Sequence, residues 1–437
     1  MTSATKYLQS LDSVRQKTSL LLLHPEHLKH FDVDAAKLTD VADTVVSLVK
    51  RDYKSTADIP PHSRKRHFEA SKQPGHTVDR VGSLVSIWNG EHVNHLEQVR
   101  RMLDLFVVGV LLDAGAGNKW SYRPNSEPGI VYNRSEGLAI AAFDWFCTGA
   151  FSSTRLLQAD SFGLQNVTPE SLERAFQVDE QNPLVGVQGR ACLLKNLGQV
   201  VVDCPQFFAS EDGSSHRPGN LVDFLLRDPS TTHADGKHVV QIETLWRLVM
   251  EGFSGVWPPS RTKLDNVFLG DVWQCEALNS MNKAGLIPAS ISLSESAATL
   301  LPFHKLSQWL TYSLMEPLAL AGITFNGLDK MTGLAEYRNG GLFVDMHVLK
   351  FKSPSKDPVP KYPVDADLII EWRGLTIALL DKLAPIVRQK LNMTAEQLPL
   401  ANILEAGTWK AGREIAAKLR PDTCGPPIEV ISDGTVF

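Results

Sequence analysis

The sequence has few of the features that would assign a function class at once. Its five cysteines are scattered over 437 residues without a C-x-x-C pair, which argues against a disulfide framework and a cysteine zinc site. The longest apolar run, Leu105–Leu112, is far shorter than the roughly 20 residues that cross a membrane. Leu20–Leu23 is too short for the core of a signal peptide. We therefore expect a soluble, cytoplasmic protein without a membrane partner.

The chain also lacks the signals of nucleic-acid and cofactor binding. A formal net charge of −5 argues against a protein that binds nucleic acid by neutralising phosphates. Gly115 and Gly117 do not form a G-x-G-x-x-G segment after a strand, and no Walker-type phosphate loop is present. His92 and His95 lie three residues apart, which is not the H-E-x-x-H spacing of a zinc-binding helix. We expect no nucleic-acid partner, no cofactor and no metal.

What the chain does have is apolar residues at helical spacing over most of its length, as at Val41, Val45 and Leu48. Val200–Val202 is a candidate for a short strand. The pattern predicts a mainly α fold, a single large helical domain with room for a small sheet. We divide it into an N-terminal helical region, 1–100, packed on the rest, and a helical domain, 101–437.

Candidate chemistry centres on the stretch Lys263–Trp309. Asp271 lies among apolar residues, and an isolated buried charge is so costly that such a carboxylate must be paired, protonated or functional. Lys263 and Asp271 are eight residues apart and would roughly share a face on one helix. His304 and Gln308 are i,i+4 neighbours if the second half is helical. The alternative is two amphipathic helices whose polar residues face water.

Three further polar residues interrupt or end apolar segments. Glu371 lies in the run L-I-I-E-W, Asp113 ends a long apolar helix, and Arg338 precedes a Gly-Gly turn. The functional interpretation is that these side chains face a ligand. The alternative is that they cap helices or form buried ion pairs, and it is strongest for Asp113, Asp345 and Arg338.

A basic segment follows the double proline of Ile59–Phe68. Five potential cations fall within the six residues from His62 to His67. Guanidinium groups bind phosphate in a bidentate manner, so the segment predicts a phosphate site made by His62, Arg64, Arg66 and His67. The alternative is a solvated basic loop.

Three segments resemble a known family: I-P-P-H-S-R-K-R-H-F (Ile59–Phe68), G-T-W-K-A-G-R (Gly407–Arg413) and the terminal S-D-G-T-V-F. They are similar to the fourth protein of the uracil-catabolism (URC) pathway in fungi and bacteria, over essentially the whole chain. From about residue 100 onward the order of segments more distantly resembles the queuosine-salvage proteins. Those proteins hydrolyse an N-glycosidic bond and have a helical fold akin to helix-hairpin-helix DNA glycosylases, which the resemblance implies for 101–437.

The second resemblance extends to single residues. Lys263, Asp271 and Trp273 match a lysine, an acid eight residues later and a tryptophan. The segment H-K-L-S-Q-W-L is similar to an aromatic-Arg-Val-Pro-Gln segment, and it places Lys305 and Gln308 on the basic residue and the glutamine. Other matched positions are Asp113, Arg338 and Glu371. The queuosine-salvage proteins carry an acid just before the aromatic-Arg pair, where this chain has Pro302, Phe303 and His304.

These resemblances imply hydrolysis of an N-glycosidic bond in uracil catabolism, with release of urea from ribosylurea or its 5-phosphate. Asp271 or Glu371 would stabilise the oxocarbenium-like sugar or activate water. His304 or Lys305 would donate to the leaving nitrogen. The implied substrate-binding residues are Lys263, Lys305, Gln308, Asp113 and Arg338, with Asp113 on the ribose hydroxyls.

Two other functions remain open at this point. A metal-dependent amidohydrolase acting on an opened pyrimidine would need His92, His95 and further ligands to converge. A non-catalytic binding or regulatory protein of the same pathway would keep the pocket without depending on the carboxylates.

Overall fold

The computed structural model describes residues 2–73, 76–257, 261–353 and 361–431. The chain divides into two compact units. Of the described residues, the first unit takes in those within 2–62, 261–308 and 328–431, and the second takes in those within 63–257 and 309–327. The division into 1–100 and 101–437 stays a prediction. The terminal motif S-D-G-T-V-F lies outside the described residues.

The first unit is mainly helical, as predicted. Its helices are Ser3–Leu8, Leu11–Leu23, Leu38–Asp52, Glu276–Lys283, Ala289–Ser292, Glu295–Ala298, Tyr337–Asp345, Asp367–Leu391, Leu400–Ile403 and Trp409–Leu419, with a π-helical turn at Leu404–Thr408. Its two-stranded sheets pair Phe31–Val33 with Leu349–Phe351, Lys263–Leu264 with Val267–Phe268, Val272–Gln274 with Leu300–Pro302, and Lys361–Pro363 with Glu429–Ile431. Only the last of these pairs is parallel. The helix Lys305–Leu320 has its first four residues in the first unit and the others in the second.

The second unit is also mainly helical. Its helices are Arg64–Phe68, Arg80–Gly90, His95–Leu111, Arg134–Phe146, Ser161–Gln165, Pro169–Ala175, Val187–Asp203, Pro205–Phe208, Leu221–Arg227 and Ile242–Arg247, the last continuing as a π-helix through Leu248–Gly252. One sheet orders the strands Ile323–Asn326, Lys237–Gln241 and Thr232–Ala234, and a second pairs Ser121–Tyr122 with Tyr132–Asn133. The mainly α fold is confirmed, while the likeness to queuosine-salvage proteins stays a prediction.

The core of the first unit is built on the helix Asp367–Leu391, which packs against Leu11–Leu23 and Leu38–Asp52. Its residues from Ile369 to Leu380 are buried without a break, since neighbours cover all of its faces. Each fully buried aliphatic side chain contributes about 1.5–3 kcal/mol relative to an exposed one. This helix is therefore the rigid element from which Glu371 and Arg373 project.

A buried carboxylate also ties the second unit together. Asp104, on the helix His95–Leu111, is completely buried and accepts hydrogen bonds from Arg217 Nε, from the Ala159 amide and from the Gly219 amide. Burial raises the pKa of Asp104 to about 6, although its donors oppose that effect. The sequence pattern did not single this residue out.

Two local predictions are wrong. Lys263 and Asp271 do not share a helix, because the chain folds into a hairpin between Lys263 and Phe268. Asp265 and Asn266 form its turn with φ values of 51° and 61°, which suits the primed turns of hairpins. Val200–Val202 is the end of the helix Val187–Asp203, since its buried valines continue a helical pattern.

The predicted Gly-Gly turn after Arg338 is helix as well. Gly340 lies within Tyr337–Asp345, and a Cβ atom there would lie 2.7 Å from Trp372 Nε1 and from Thr376 Oγ1. The glycine is required by close helix packing rather than by a turn. Among the described residues, no helix is both long and apolar enough to cross a bilayer.

Gly340→Ala is expected to lower the free energy of unfolding by about 1–3 kcal/mol, because the added methyl group overfills the contact with Trp372 and Thr376. Urea denaturation measures this difference. Gly90→Ala is the matched control, since Gly90 also lies in a helix but an added Cβ meets nothing within 4 Å. The control should be neutral or stabilising by up to about 1 kcal/mol. Equal effects of the two substitutions would contradict the packing argument.

Candidate functional site

Asp271 is the most heavily hydrogen-bonded of the predicted catalytic residues. Arg373 Nη1 and Nη2 donate to its two oxygens at 2.8 and 2.7 Å. Trp273 Nε1 donates to Oδ1 at 2.7 Å, and the Lys305 amide donates to Oδ2 at 3.0 Å. Asp271 is only 2% exposed. All four donors belong to the protein, so each oxygen already accepts two hydrogen bonds.

The charge state of Asp271 follows from these partners. Burial alone would raise its pKa, but the Arg373 guanidinium and the other donors outweigh burial and lower the pKa to about 2. The carboxylate is therefore ionised at any physiological pH and neutralised by Arg373. The geometry favours a positioning role, in which Asp271 fixes the start of the helix Lys305–Leu320. Its catalytic role stays a prediction.

His304 and Gln308 lie one helical turn apart, as the sequence predicted, with the Gln308 amide bonded to the His304 carbonyl at 2.9 Å. His304 is fully buried, and its Nε2 lies 2.7 Å from the Leu8 carbonyl, to which it donates. Burial lowers its pKa, so the ring is neutral at pH 7. Gln308 exchanges hydrogen bonds with Thr332 at 2.7 and 3.0 Å. Both predicted residues therefore have structural partners.

Lys305 differs from these two. The side chain is 8% exposed, yet among the described residues its Nζ makes no hydrogen bond and no ion pair. Its charge nevertheless acts on Glu336 and lowers the pKa of that carboxyl. The Lys305 side chain is thus mostly covered, and the carboxyl of Glu336, on which its charge acts, is not one of its hydrogen-bond or ion-pair partners.

Glu336 is the residue that the sequence analysis missed. It precedes the helix Tyr337–Asp345, and its Oε2 accepts the amides of Arg338 and Asn339 at 2.8 and 3.1 Å. Its other oxygen, Oε1, accepts no hydrogen bond within the part of the chain that the structure describes. Burial raises the pKa of Glu336 above its usual range, against the opposing effects of the helix amides and of Lys305.

Arg338 is close to Glu336 in the chain, but its side chain has other partners. Its Nη1 donates to the Cys424 carbonyl at 2.8 Å, and its guanidinium lies over the Tyr337 ring. We call Asp271, Lys305, Gln308, Glu336 and Arg338 the polar cluster of the first unit. Four of these residues were predicted from the sequence, and Glu336 was not, although it lies only two residues before Arg338.

Glu371 and Lys263 do not share a partner with this cluster. Glu371 accepts the amides of Lys29, His30 and Phe31 at 2.8–3.0 Å, and burial raises its pKa. Lys263 is exposed on its hairpin, with Nζ 3.9 Å from the centre of the Phe268 ring. Their catalytic and substrate-binding roles stay predictions.

The basic segment is a short helix rather than a loop, and its cations have protein partners. In the first unit His62 Nδ1 lies 2.5 Å from Glu405. In the second unit, Arg64–Phe68 is helical, Arg64 is completely buried and its Nη1 lies 2.8 Å from Asp113. Arg66 pairs with Glu316, and His67 Nδ1 contacts Arg64. These ion pairs favour a structural role over the predicted phosphate site and the predicted ribose contact of Asp113.

One group of side chains among the described residues has the composition of a metal site. His30, Asp367 and Glu371 offer ligand atoms within 4.8 Å of one another. Each is already engaged, since His30 bonds to Asp367, Asp367 accepts the Glu276 amide and Glu371 accepts three amides. His92 and His95 do not belong to such a group, and His95 bonds to the Leu320 carbonyl.

The ion pair of Asp271 makes stability depend on pH. The pKa of Asp271 is about 2 in the folded protein and about 3.9 in the unfolded chain. The ion pair therefore contributes fully to the free energy of unfolding above about pH 4, and this contribution is lost as the pH falls through 2. Asp271→Asn should cost about 3–5 kcal/mol of unfolding free energy at pH 7, because it leaves Arg373 buried without its partner.

Urea denaturation between pH 7 and 2 tests this expectation. As the pH falls below 4, the free energy of unfolding should decrease less in Asp271→Asn than in the wild type. At pH 7 the double variant Asp271→Asn/Arg373→Gln should recover part of the stability that the single substitution removes. A single variant with wild-type stability and wild-type pH dependence would show that the pair is not structural.

Comparison with known proteins gives full-length matches. Residues 7–437 match a family described as "Protein of unknown function (DUF1688)". The chain is 40% identical over 454 residues to "Uracil catabolism protein 4" of Lachancea kluyveri, covering 99% of this chain and 98% of that protein. It is also 40% identical over 443 residues to "Protein urg3" of Schizosaccharomyces pombe, covering 100% of both. The chain therefore belongs to the DUF1688 family, that of uracil catabolism protein 4, as its motifs predicted.

Proposed function

We propose that this protein acts in uracil catabolism by hydrolysing an N-glycosidic bond, with ribosylurea or its 5-phosphate as substrate and urea as a product. The name of the Lachancea relative supports the pathway. The bond type follows from the resemblance of the segments around Lys305 and Arg338 to queuosine-salvage proteins. The observation that carries the chemistry is the opposite behaviour of two carboxyl groups in the polar cluster.

The pKa of Asp271 is lowered to about 2 and that of Glu336 is raised. Carboxyl groups whose environments push their pKa values apart are suited to different roles. Here Asp271, neutralised by Arg373, is suited to positioning, which leaves Glu336 as the carboxyl that can act on a ligand. Glu336 is the one with an oxygen that accepts no hydrogen bond from the described residues. A carboxyl whose pKa is raised keeps its proton to higher pH than an ordinary glutamate, which suits it to general acid catalysis.

The proposed step balances as follows. The protonated Glu336 gives its proton to the leaving nitrogen while the bond from that nitrogen to the ribose C1′ breaks. Water then bonds through its oxygen to C1′ and loses a proton to the Glu336 carboxylate, which restores the acid. The products are urea and ribose, or ribose 5-phosphate, and no other reactant is consumed.

Lys305 has two effects in this proposal. Its ammonium limits how far burial raises the pKa of Glu336, so that the proton can still be released. Its Nζ also offers donors to a substrate hydroxyl or carbonyl. Asp271 holds the backbone of Lys305 in place, which is a positioning role.

A metal-dependent amidohydrolase is the second candidate function. The candidate metal ligands for this function are His30, Asp367 and Glu371, in place of His92 and His95. Metal analysis of the purified protein distinguishes the two functions. A stoichiometric divalent ion that is lost in His30→Ala together with activity would favour the amidohydrolase.

Glu336→Gln should reduce urea release from ribosylurea or its 5-phosphate by about 100-fold or more, in the range that loss of a general acid produces. The glutamine oxygen can still accept the Arg338 amide, so the fold should be kept. Glu396→Gln, on an exposed loop, is the matched control and should retain full activity. Full activity of Glu336→Gln would refute the role of Glu336, while urea release by neither wild type nor variant would refute the reaction.

The pH dependence of kcat gives a second test. An acid must be protonated, so kcat should be full below the raised pKa of Glu336 and fall as the pH rises through it. Lys305→Met removes a charge that lowers this pKa, and it should move the falling limb to higher pH. Lys283→Met, an exposed first-unit control, should leave the limb in place. A limb that moves to lower pH in Lys305→Met would contradict the assignment.

A further inference from the structure

A cleft of about 570 Å³ lies in the second unit and shares no residue with the polar cluster. It is lined by residues of the helices Ser161–Gln165 and Pro169–Ala175, of the loop around Ser152, and by Trp145. Its volume is within the usual range for small-molecule sites, about 300–1,000 Å³. We call it the Arg155 cleft.

Aromatic rings form part of its lining. Phe162 is 64% exposed, so its ring face is accessible to a ligand in the cleft. Trp145 is 8% exposed, and its ring packs edge-on against Phe151 at a centroid distance of 4.6 Å. The cleft therefore offers one exposed ring and one immobilised ring to a flat ligand.

The charged residues that line the cleft are both cations, Arg155 and Arg174. Within the described residues, neither arginine forms an ion pair. Glu170 lies close enough for Arg174 to lower its pKa slightly, but the two are not in contact. In a protein with a net charge of −5, a cleft whose charged lining is entirely basic favours an anionic ligand.

The loop and the helix that line the cleft are joined by hydrogen bonds to one carboxylate, that of Asp160. Asp160 accepts hydrogen bonds from the Ser153 amide and hydroxyl at 2.7 and 2.8 Å and from the Gly163 amide at 2.8 Å. A Cβ atom on Gly163 would lie 2.1 Å from the Phe151 carbonyl, so loop and helix are in direct contact. Arg155 has a φ of 62°, a strained conformation that marks functional positions when the surroundings enforce it.

We propose that the Arg155 cleft binds a nucleotide, an aromatic base with a phosphate group. The base packs on Phe162 and Trp145, as bases do on aromatic platforms. The phosphate lies against Arg155 and Arg174, whose guanidinium groups match its geometry. The Asn166 side-chain amide gives one N–H to the Phe162 carbonyl and has a second to offer as a neutral donor. This site is additional to the proposed hydrolytic site and does not depend on it.

Isothermal titration of the full chain with uridine 5′-monophosphate, uridine and inorganic phosphate tests the proposal. The monophosphate should bind more tightly than either fragment. Arg174→Ala should weaken its binding at least 10-fold and leave uridine binding nearly unchanged, whereas Phe162→Ala should weaken both nucleoside ligands about 10-fold.

Two controls separate this site from others. Arg227→Ala removes an exposed arginine of the same unit that does not line the cleft and should bind like the wild type. Lys305→Met alters the polar cluster and should also bind like the wild type. Absence of binding by the 5′-monophosphates of uridine, cytidine, adenosine and guanosine would overturn the proposal. Binding that Lys305→Met weakens and Arg174→Ala does not would overturn it as well.

Discussion

The ion pair between Asp271 and Arg373 is the contact on which the candidate site depends. Arg373 projects from the long helix Asp367–Leu391, and Asp271 joins it to the Trp273 indole and the Lys305 amide. Both side chains of the pair are almost completely buried, so separating them would expose two charges to an apolar interior. The pair thus fixes where the helix bearing Lys305 begins, and with it the distance over which Lys305 acts on Glu336.

This arrangement explains how buried carboxyls of one chain come to differ in chemistry. Asp271 accepts four hydrogen bonds, two of them from the Arg373 guanidinium, and it stays ionised. Glu371 and Asp104 also have several donors, and burial raises their pKa values because those donors do not fully compensate it. Glu336 combines a raised pKa with an oxygen that no described residue engages. Asp104 and Asp271 each accept four hydrogen bonds, two of them from a guanidinium, so the number and charge of the partners do not by themselves set the pKa. The balance between burial and partners differs from site to site, and the oxygen without a donor from the described residues is what distinguishes Glu336.

Helical periodicity was enough to predict the mainly α fold and most of its long helices, because apolar spacing records burial directly. Helical periodicity did not predict short turns and hairpins, or which residues distant in sequence pair with a buried polar side chain. The segment that contains Asp265 and Asn266 was interpreted as helix, but these two residues form the turn of a hairpin. Gly340 was interpreted as part of a turn, but it lies in a helix that packs closely against Trp372. The sequence showed that Asp271 had to be paired, protonated or functional, but Arg373 is 102 residues away. Arg373 directly follows the segment L-I-I-E-W, which was quoted for Glu371, and Glu336 lies two residues before Arg338. Neither residue has a sequence signal of its own, because the contacts that single them out come from the fold.

The most direct test of this account is the protonation state of Glu336 itself. Infrared difference spectra between wild type and Glu336→Gln, taken as a function of pH, isolate the carbonyl stretch of this one carboxyl. The account predicts that the band of a protonated acid persists well above pH 4.3, where an ordinary glutamate ionises, and that it persists to higher pH in a Lys305→Met background. A band that disappears with the exposed glutamates would contradict it, because Glu336 would then have no proton to give at neutral pH.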